Sequence, residues 1–529
     1  MNVPTLSTFL EHEAFNTLDR HFAIRISKNA RSGSRLAGHA AAVVSAMLRR
    51  GHLCARLDEH PDLGDELPPL MGSWPSIDQW RVDLETSGLV ALDGETFLPL
   101  VLDPQGRLYL HRYFEYEQRL ANALRARVSN RCFKVIVGGP GTGKTTRILE
   151  ELATLQRRSP PPRVALVAPT GKAAKRMEDS VRSGGPDLPK TATTLHRLLG
   201  ARRDSAFFKH HSGNPLNEDV VIVDEASMVD LPLMAKLVEA LKPSAELILV
   251  GDPDQLASVE AGAVLADIAE AAILARRTDA PLGASMVTLK TKYRYGPQSG
   301  IGQLCEAIRI GDGDRVIELL DDTQYADIRL RALPSKDALG TELQRTPAIS
   351  DLRDALMLHE PGEILSALQC SRVLCPTRQG PYGLESINTL VEKQLGSARR
   401  TRPIVLTRND YALQLFNGDS GLITSASQNS ESWAWFRGRE GTPQKFSSLR
   451  LPPHETAYAM TVHRSQGSEF DRVLIILPSG KNPVVTRELL YTAVSRARRD
   501  VEIWSDPQTL REACSRKVTR HSGLVDRLR

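Results

Sequence analysis

The sequence predicts an α/β protein: two parallel-sheet domains in tandem, a small N-terminal, mainly helical domain, and a small β insertion in the second sheet domain. Three observations carry that reading. Short apolar, β-branched runs alternate with helical segments from about residue 130, the same rhythm returns after about residue 370, and the first hundred or so residues follow a helical pattern instead. Continuous apolar strands separated by helices are what a parallel sheet covered on both faces requires.

In chain order, "HAAAVVSAMLRRGHLCARL" (39–57) has a helical apolar period, and the polar, proline-bearing "DEHPDLGDELPPL" (58–70) interrupts it. Strand-like pieces follow in "LVALDGETFLPLVLDPQGRLYLHRYFEYE". Residues 1–115 carry no visible chemistry, so a docking domain is expected there, with a plain helical cap as the alternative. The first sheet domain is expected at 116–365, with strands in "FKVIV" (133–137), "RVALVA" (163–168), "DVVIVDEA" (219–226) and "ELILVGD" (246–252). The second is expected at 366–529, with strands in "SRVLCPT" (371–377), "RPIVLTR" (402–408), "DRVLIILP" (471–478) and "VEIWS" (501–505). The glycine- and serine-rich tract from residue 417 reads as a β insertion at about 417–456, or as a long surface loop.

Composition excludes several classes. With 41% hydrophobic and 25% charged residues in 529, the chain is neither fibrous nor disordered. No run approaches the ~18 apolar residues of a membrane span, and "MNVPTLSTFLEHEAFNTLDRHF" lacks the basic and apolar regions of a secretion signal, so a cytoplasmic protein with no membrane partner is expected. Six scattered cysteines without a CxxC pair read as reduced, mostly buried thiols. The net charge of +5 is mild, but "KAAKRM" (172–177), "RRDSAFFKHH" (202–211) and "SRARRD" (495–500) would each suit a polyanion or a solvated helix face.

The chemistry begins at "VIVGGPGTGKTTRILEEL" (135–152), where a strand breaks into glycines and restarts as a helix. Gly138, four residues, then Gly143-Lys144-Thr145 is the phosphate-loop spacing in its required strand–loop–helix context. The loop Gly138, Gly139, Pro140, Gly141, Thr142 and Gly143, continued by Lys144, Thr145 and Thr146, can point several N–H groups at one anion, in conformations side chains would forbid. A nucleotide is the expected ligand. Lys144 reaches its terminal phosphates and Thr145 contributes to a Mg²⁺ site. Asp224 and Glu225 end a buried strand in "VVIVDEAS"; Asp224 would complete the Mg²⁺ site and Glu225 polarise the attacking water. Gln255 in "GDPDQ" ends another strand, where a neutral amide can sense the γ-phosphate.

Taken in order, "GGPGTGKTT", "APTGKAAKRM", "TTLHRLLG", "VDEASMVD", "VGDPDQLASVEAGAVLADI", "KYRYG", "TVHRSQGSEFDRVLIILP" and "LLYTAVSRARRDVEIW" resemble the motif set of superfamily 1 helicases. More narrowly, with "DYALQLFNGDSGLI" and "LVLDPQGRLYLHRYFEYEQRL", they resemble the RecD family, alpha subunits of exonuclease V (RecBCD enzyme). The resemblance implies two tandem RecA-like domains, an SH3-like insertion, and ATP-driven 5′ to 3′ movement on DNA in double-strand break repair by homologous recombination and degradation of linear DNA. RecB-like and RecC-like subunits would complete a heterotrimer, with any nuclease activity on a partner. Arg294 matches the motif IV arginine, Arg496 the motif VI arginine finger, and Glu469 a position that reaches the nucleotide sugar. Thr170, Lys172, His196, Thr461, His463 and Ser465 match positions lining the single-strand groove, although each alone suits a helix cap or loop bond equally well. Gln118 is the candidate for the family's adenine-contacting glutamine, displaced toward the N-terminal signature. Residues 203–216 are a duplex-splitting hairpin or a loop. An ATP-dependent DNA-binding switch and a stand-alone RecD-like helicase are the alternatives.

Overall fold

The computed structural model describes residues 3–529 except 62–72, 93, 95, 183, 185–190, 203, 204, 206, 292, 297, 396–400, 411, 426–431, 439–441 and 481. In the N-terminal part, Asn16 caps the helix Thr17–Asn29, and Asp19 returns the bond to the Asn16 N–H. The alanine-rich helix Ala37–Arg49 is buried on nearly every side. These helices pack with Ile77–Ser87 on a small sheet of β1 (Ala55–Arg56), β2 (Val90–Ala91), β3 (Leu100–Leu102) and β4 (Arg107–Leu110), in the order β1-β4-β3-β2.

The helix His111–Ser129 leads into the first large sheet: β5 (Phe133–Gly138), β6 (Val164–Ala168), β7 (Ala192–Thr194), β8 (Val220–Val223), β9 (Glu246–Gly251) and β10 (Met286–Leu289). Its order is β10-β5-β9-β8-β6-β7 and every pairing is parallel. Alternate residues of β5 face different cores. Val135 and Val137 pack with helices Leu231–Ala240 and Val264–Arg276, whereas Ile136 packs with Ile148, Leu152 and Met177 from the opposite face. Both faces being covered, the strands need no polar alternation.

The second sheet contains β11 (Ile328–Arg331), β12 (Ser371–Cys375), β18 (Ala459–Thr461), β19 (Phe470–Ile476) and β20 (Ala497–Trp504), all parallel, in the order β11-β20-β19-β12-β18. Three expectations are corrected. The boundary expected at 365 falls earlier, because β11 pairs with β20, and Leu304, Ile308, Val316 and Leu319 pack against Val473 and Ile475 of the second sheet. The "RPIVL" run is not a strand of that sheet. It forms β13 (Thr401–Leu406), antiparallel to β14 (Ser420–Ser425) and β17 (His454–Thr456), in a five-stranded sheet completed by β15 (Ser432–Arg437) and β16 (Pro443–Ser447). Ile404 and Leu406 fill a separate small core with Leu415, Ala434 and Phe436, so the insertion opens at 401 rather than 417. Finally, the C-terminal helix Leu524–Leu528 leaves the second domain and buries Leu524 and Leu528 in the core of the first.

No helix among the described residues is long and apolar enough to cross a membrane. All six cysteines are free thiols; four are buried, Cys132 is partly exposed and Cys370 is exposed.

Candidate nucleotide cleft and strand interface

β5 ends at Gly138, and the loop turns through left-handed Gly141 (φ 72°) and Gly143 (φ 80°) into the helix Lys144–Gln156. A Cβ at Gly141 would lie 2.4 Å from the Cβ of Arg294, so this glycine is demanded by a close approach as well as by its backbone angle. The Tyr293 N–H donates to the Gly141 carbonyl (2.8 Å), fastening the "KYRYG" segment to the loop. Lys144 folds back, its Nζ donating to the carbonyls of Gly138 (2.7 Å) and Gly139 (2.9 Å).

Asp224 follows β8, its Oδ1 accepting the Glu225 N–H (2.9 Å). Glu225 is held in the left-handed region (φ 52°), a conformation costing a non-glycine residue roughly 1 kcal/mol, and the two carboxylates follow in succession at the carboxyl end of an interior strand. Burial first, then the neighbouring Glu225 charge, push the Asp224 carboxyl up. Buried carboxylate and hydroxyl oxygens form the hard donor set that a magnesium ion prefers. Thr145 and Asp224 line the same cavity, and among the described residues nothing hydrogen-bonds to the Thr145 side chain, so the pair fits such an ion.

The far wall comes from the second sheet. Arg496 is 4% exposed, and its guanidinium donates to Gln255 Oε1 (3.0 Å) and to the carbonyls of Thr492 (3.2 Å) and Ser468 (3.3 Å). Gln255 in turn donates through Nε2 to Asp252 (2.9 Å), which also accepts the Tyr491 hydroxyl (3.1 Å). The Leu256 N–H donates to the Thr492 hydroxyl (3.0 Å), and Gln466 Nε2 donates to the Leu256 carbonyl (3.0 Å). Glu469 pairs with Arg294 (2.6 Å), Arg498 (3.2 Å) and Arg176. Burial would raise its carboxyl, but the guanidiniums of Arg176 and Arg294 outweigh that and hold it down to about 2.

The resulting cavity, about 330 Å³, gathers Pro140 through Thr146, Asp224, Glu225, Gln255, Arg294, Glu469 and Arg496. Gly138 and Gly139 line a neighbouring cavity across the loop. Gln118 is not with them: its helix buries Phe114, Glu117, Leu120, Ala121 and Leu124, which turns Gln118 to solvent, and the adenine role is withdrawn. Asp252, Tyr491, Thr492 and Arg176 were missed. Asp252 had a signal, an acid ending a buried strand three residues before Gln255.

The strand candidates divide. His196 is exposed and close to Phe208, with ring centroids 6.0 Å apart. Lys172 lines a cavity between the domains, and His463 is partly exposed. Thr170 accepts the Ala173 N–H (3.2 Å) and Thr461 the Arg464 N–H (3.4 Å), so both act as helix caps. Ser465 is corrected: it is fully buried, and its hydroxyl donates to the Val462 carbonyl (2.7 Å). In the 203–216 segment, residues 203, 204 and 206 lie outside the described residues. Around them, antiparallel bridges join Ala201 to Phe208 and His211 to Asn214, a hairpin-like reversal.

The chain matches known proteins along most of its length. Residues 11–109 match the family described as RecBCD enzyme subunit RecD, N-terminal domain; residues 121–261 match an AAA domain and 456–503 a UvrD-like helicase C-terminal domain. The RecBCD enzyme subunit RecD of Mycolicibacterium smegmatis is 37% identical over 98% of each chain. The ATP-dependent RecD2 DNA helicase of Deinococcus radiodurans is 33% identical over 75% of this chain and 50% of its own. Among solved structures, a Pif1 helicase from Bacteroides in complex with ADP-AlF3 and ssDNA overlaps with a TM-score of 0.42 at 19% identity, covering 75% of this chain and 93% of that one. With more than a third of its residues shared along essentially the whole length of a curated relative, the chain belongs to the RecBCD enzyme subunit RecD family, a family of ATP-dependent DNA helicases.

Proposed function

We propose that the cleft hydrolyses ATP with Mg²⁺ and converts each turnover into a step along single-stranded DNA. The observation that carries this reading is the Asp252–Gln255–Arg496 chain, because it joins the end of β9 in one sheet to the segment before β20 in the other. A γ-phosphate entering the cleft would compete with Asp252 for the Gln255 Nε2 donor and with Gln255 Oε1 for the Arg496 guanidinium. In this reading Lys144 leaves the loop carbonyls for the β- and γ-phosphates, and Thr145 and Asp224 hold the Mg²⁺, whose charge offsets that of the phosphates. Glu225 takes a proton from the attacking water, while Arg294 and Arg496 spread the developing charge. Arg294 must first release Glu469, which, still held by Arg176 and Arg498, can then turn a carboxylate oxygen toward the ribose. Loss of the γ-phosphate undoes these bonds and lets the domains separate.

His196 and His463 are the remaining candidates for holding the strand, with Thr170 and Thr461 shaping the turns from which backbone amides can meet phosphates. The working assembly is a cytoplasmic heterotrimer with RecB-like and RecC-like subunits, acting on the ends of broken or linear DNA and moving 5′ to 3′. The residues before 116 are the docking unit. The chain is 37% identical to a RecD subunit over 98% of its residues and 33% identical to the RecD2 helicase over 75% of them, and residues 11–109 match the RecD N-terminal domain, which favours the subunit over a stand-alone helicase. Single-stranded DNA should stimulate ATP hydrolysis by the purified chain or its complex, and Lys144→Gln should abolish that hydrolysis; a variant still hydrolysing at the parent rate would overturn the reading. Forked duplexes with a free end of either polarity would give the direction.

A further inference from the structure

A second cavity, about 260 Å³, lies beside the nucleotide cleft where three units meet. Lys172 and Arg176 reach it from the helix Gly171–Arg182 of the first domain, Arg372 and Glu469 from the second, and Asp419 from the insertion. Arg372 stands out: it is 4% exposed and no carboxylate pairs with it among the described residues. Its Nη1 donates to the Ala457 carbonyl (2.6 Å) and its Nη2 to the Leu368 carbonyl (2.7 Å). The guanidinium lies 5.2 Å from the centre of the Phe470 ring, and its buried Nε has no hydrogen-bond partner. A buried guanidinium left with a free N–H and no counter-charge is costly unless an anion completes it.

Lys172 repeats the pattern from the other domain. It is half-buried, makes no hydrogen bond among the described residues, and its ammonium is pushed down to about 8 by burial and then by the charge of Arg372. No acid lining the cavity forms an ion pair with either cation among the described residues. Glu469 is taken by Arg176, Arg294 and Arg498, Asp179 is exposed, and Asp419, which accepts the Phe416 N–H (2.8 Å) within its own loop, acts on Lys172 only through its charge. Two cations on opposite sides of a domain junction thus line one cavity without an ion-pair partner.

We propose that this cavity binds a single phosphate group between Arg372 and Lys172, and that phosphate released in the adjoining nucleotide cleft is its source. The proposal rests on reading that cleft as an ATPase site. Shared walls favour product phosphate over a phosphate of the DNA strand: Arg176 and Glu469 line both cavities, so the two are neighbours. Arg372 is also recessed, within reach of a small ion more readily than of a polymer backbone. A phosphate held there neutralises a cation from each domain, so it keeps the domains together after bond cleavage and delays opening until it departs.

The full chain, its cleft saturated with a non-hydrolysable ATP analogue and Mg²⁺, is titrated with inorganic phosphate in a calorimeter. One phosphate per chain should bind, at least tenfold more weakly in Arg372→Gln and in Lys172→Met, and saturating oligothymidylate should leave its affinity unchanged. Should Arg372→Gln fail to fold, Lys172→Met carries the comparison. Analogue binding in the same samples separates the two readings: a chain that binds neither ligand fails as an ATPase, whereas one that binds the analogue and no phosphate fails only here. Equal phosphate affinity in parent and variants would overturn the site. Displacement by the oligonucleotide would give the cavity to the strand and overturn product phosphate as its source.

Discussion

Gln255 serves two partners with one side chain, donating to Asp252 through its amide nitrogen and accepting from Arg496 through its oxygen. A glutamate keeps the acceptor but loses the donor, and sets a second negative charge against Asp252. Gln255→Glu should therefore bind ATP within a few-fold of the parent yet lower strand-stimulated kcat about 100-fold, the scale of losing one well-placed donor, as steady-state ATPase assays would show. Glu469 makes a different test, because its carboxyl lies well below its ordinary range. A carboxyl with a depressed folded-state value stabilises above its unfolded value, near 4.5, and that stabilisation is lost as pH falls toward about 2. The size is on the order of 3 kcal/mol. Glu469→Gln should be less stable than the parent at pH 6, and the gap should close on acidification, in chemical unfolding followed across pH 6 to 2.5. A gap that stays constant with pH would mean the carboxylate's charge contributes nothing to the junction.

The C-terminal helix Leu524–Leu528 is short, yet it closes a buried ionic knot. Glu117, fully buried, accepts from Arg527 Nε (2.8 Å), the Gly523 N–H (3.0 Å) and the Tyr109 hydroxyl (3.1 Å). Removing one member of such a buried pair typically costs about 3 to 5 kcal/mol, because the other is left charged and alone. Arg527→Met should lower the melting temperature by several degrees, and Glu117→Gln by less, since a neutral amide there needs no counter-charge; differential scanning calorimetry would rank them. The sequence could not announce this helix, because five residues carry too little period, and their value comes from partners some 400 positions away. Elements with strong local rules were readable: β5, β8 and β9 each carry an unbroken Val, Ile or Leu run that leads into the motif residues themselves. β13 misled because "PIVL" reads the same in a doubly covered parallel strand and in an antiparallel strand facing a small core; only the cross-strand partners decide. For the site, the loop glycines, Lys144, Asp224 and Glu225 were legible because their spacing is itself the chemistry. Arg496 was legible only through a resemblance, and Tyr491 emerges from a bond to Asp252 between sheets that no local pattern encodes. Gln118 failed because a motif position says nothing of which helix face it will occupy.

Across the whole molecule, bonds between the two sheet domains crowd into one line along the cleft: Arg496 to Gln255, Tyr491 to Asp252, Leu256 to Thr492, Gln466 to Leu256, and Glu469 to Arg176. Away from that line the C-terminal strap also ties the ends of the chain together. Arg520 donates to the carbonyls of Glu260 (2.8 Å) and Gly262 (2.7 Å), and the His521 N–H donates to His52 Nδ1 (3.0 Å). The cleft bonds are polar and several can be exchanged for bonds to a triphosphate, whereas the strap has no contact with the cavity that would feel nucleotide. Opening and closing should therefore pivot about the strap while the cleft line breaks and re-forms. Donor and acceptor dyes on cysteines placed at exposed Thr154 and Ser515, in a background with the exposed Cys370 and partly exposed Cys132 replaced, would report the two domains separately. A non-hydrolysable ATP analogue should shift the population toward higher transfer efficiency, and the shift should shrink in Arg496→Ala, which binds nucleotide on the first domain alone. Arg520→Ala, which removes the strap's bonds to Glu260 and Gly262 but keeps the buried Leu524–Leu528 helix, should broaden the nucleotide-free distribution without moving the closed state. If the variant left that distribution as narrow as in the parent, the cleft line would by itself set the spacing of the domains, and these strap bonds would serve only to stabilise the fold.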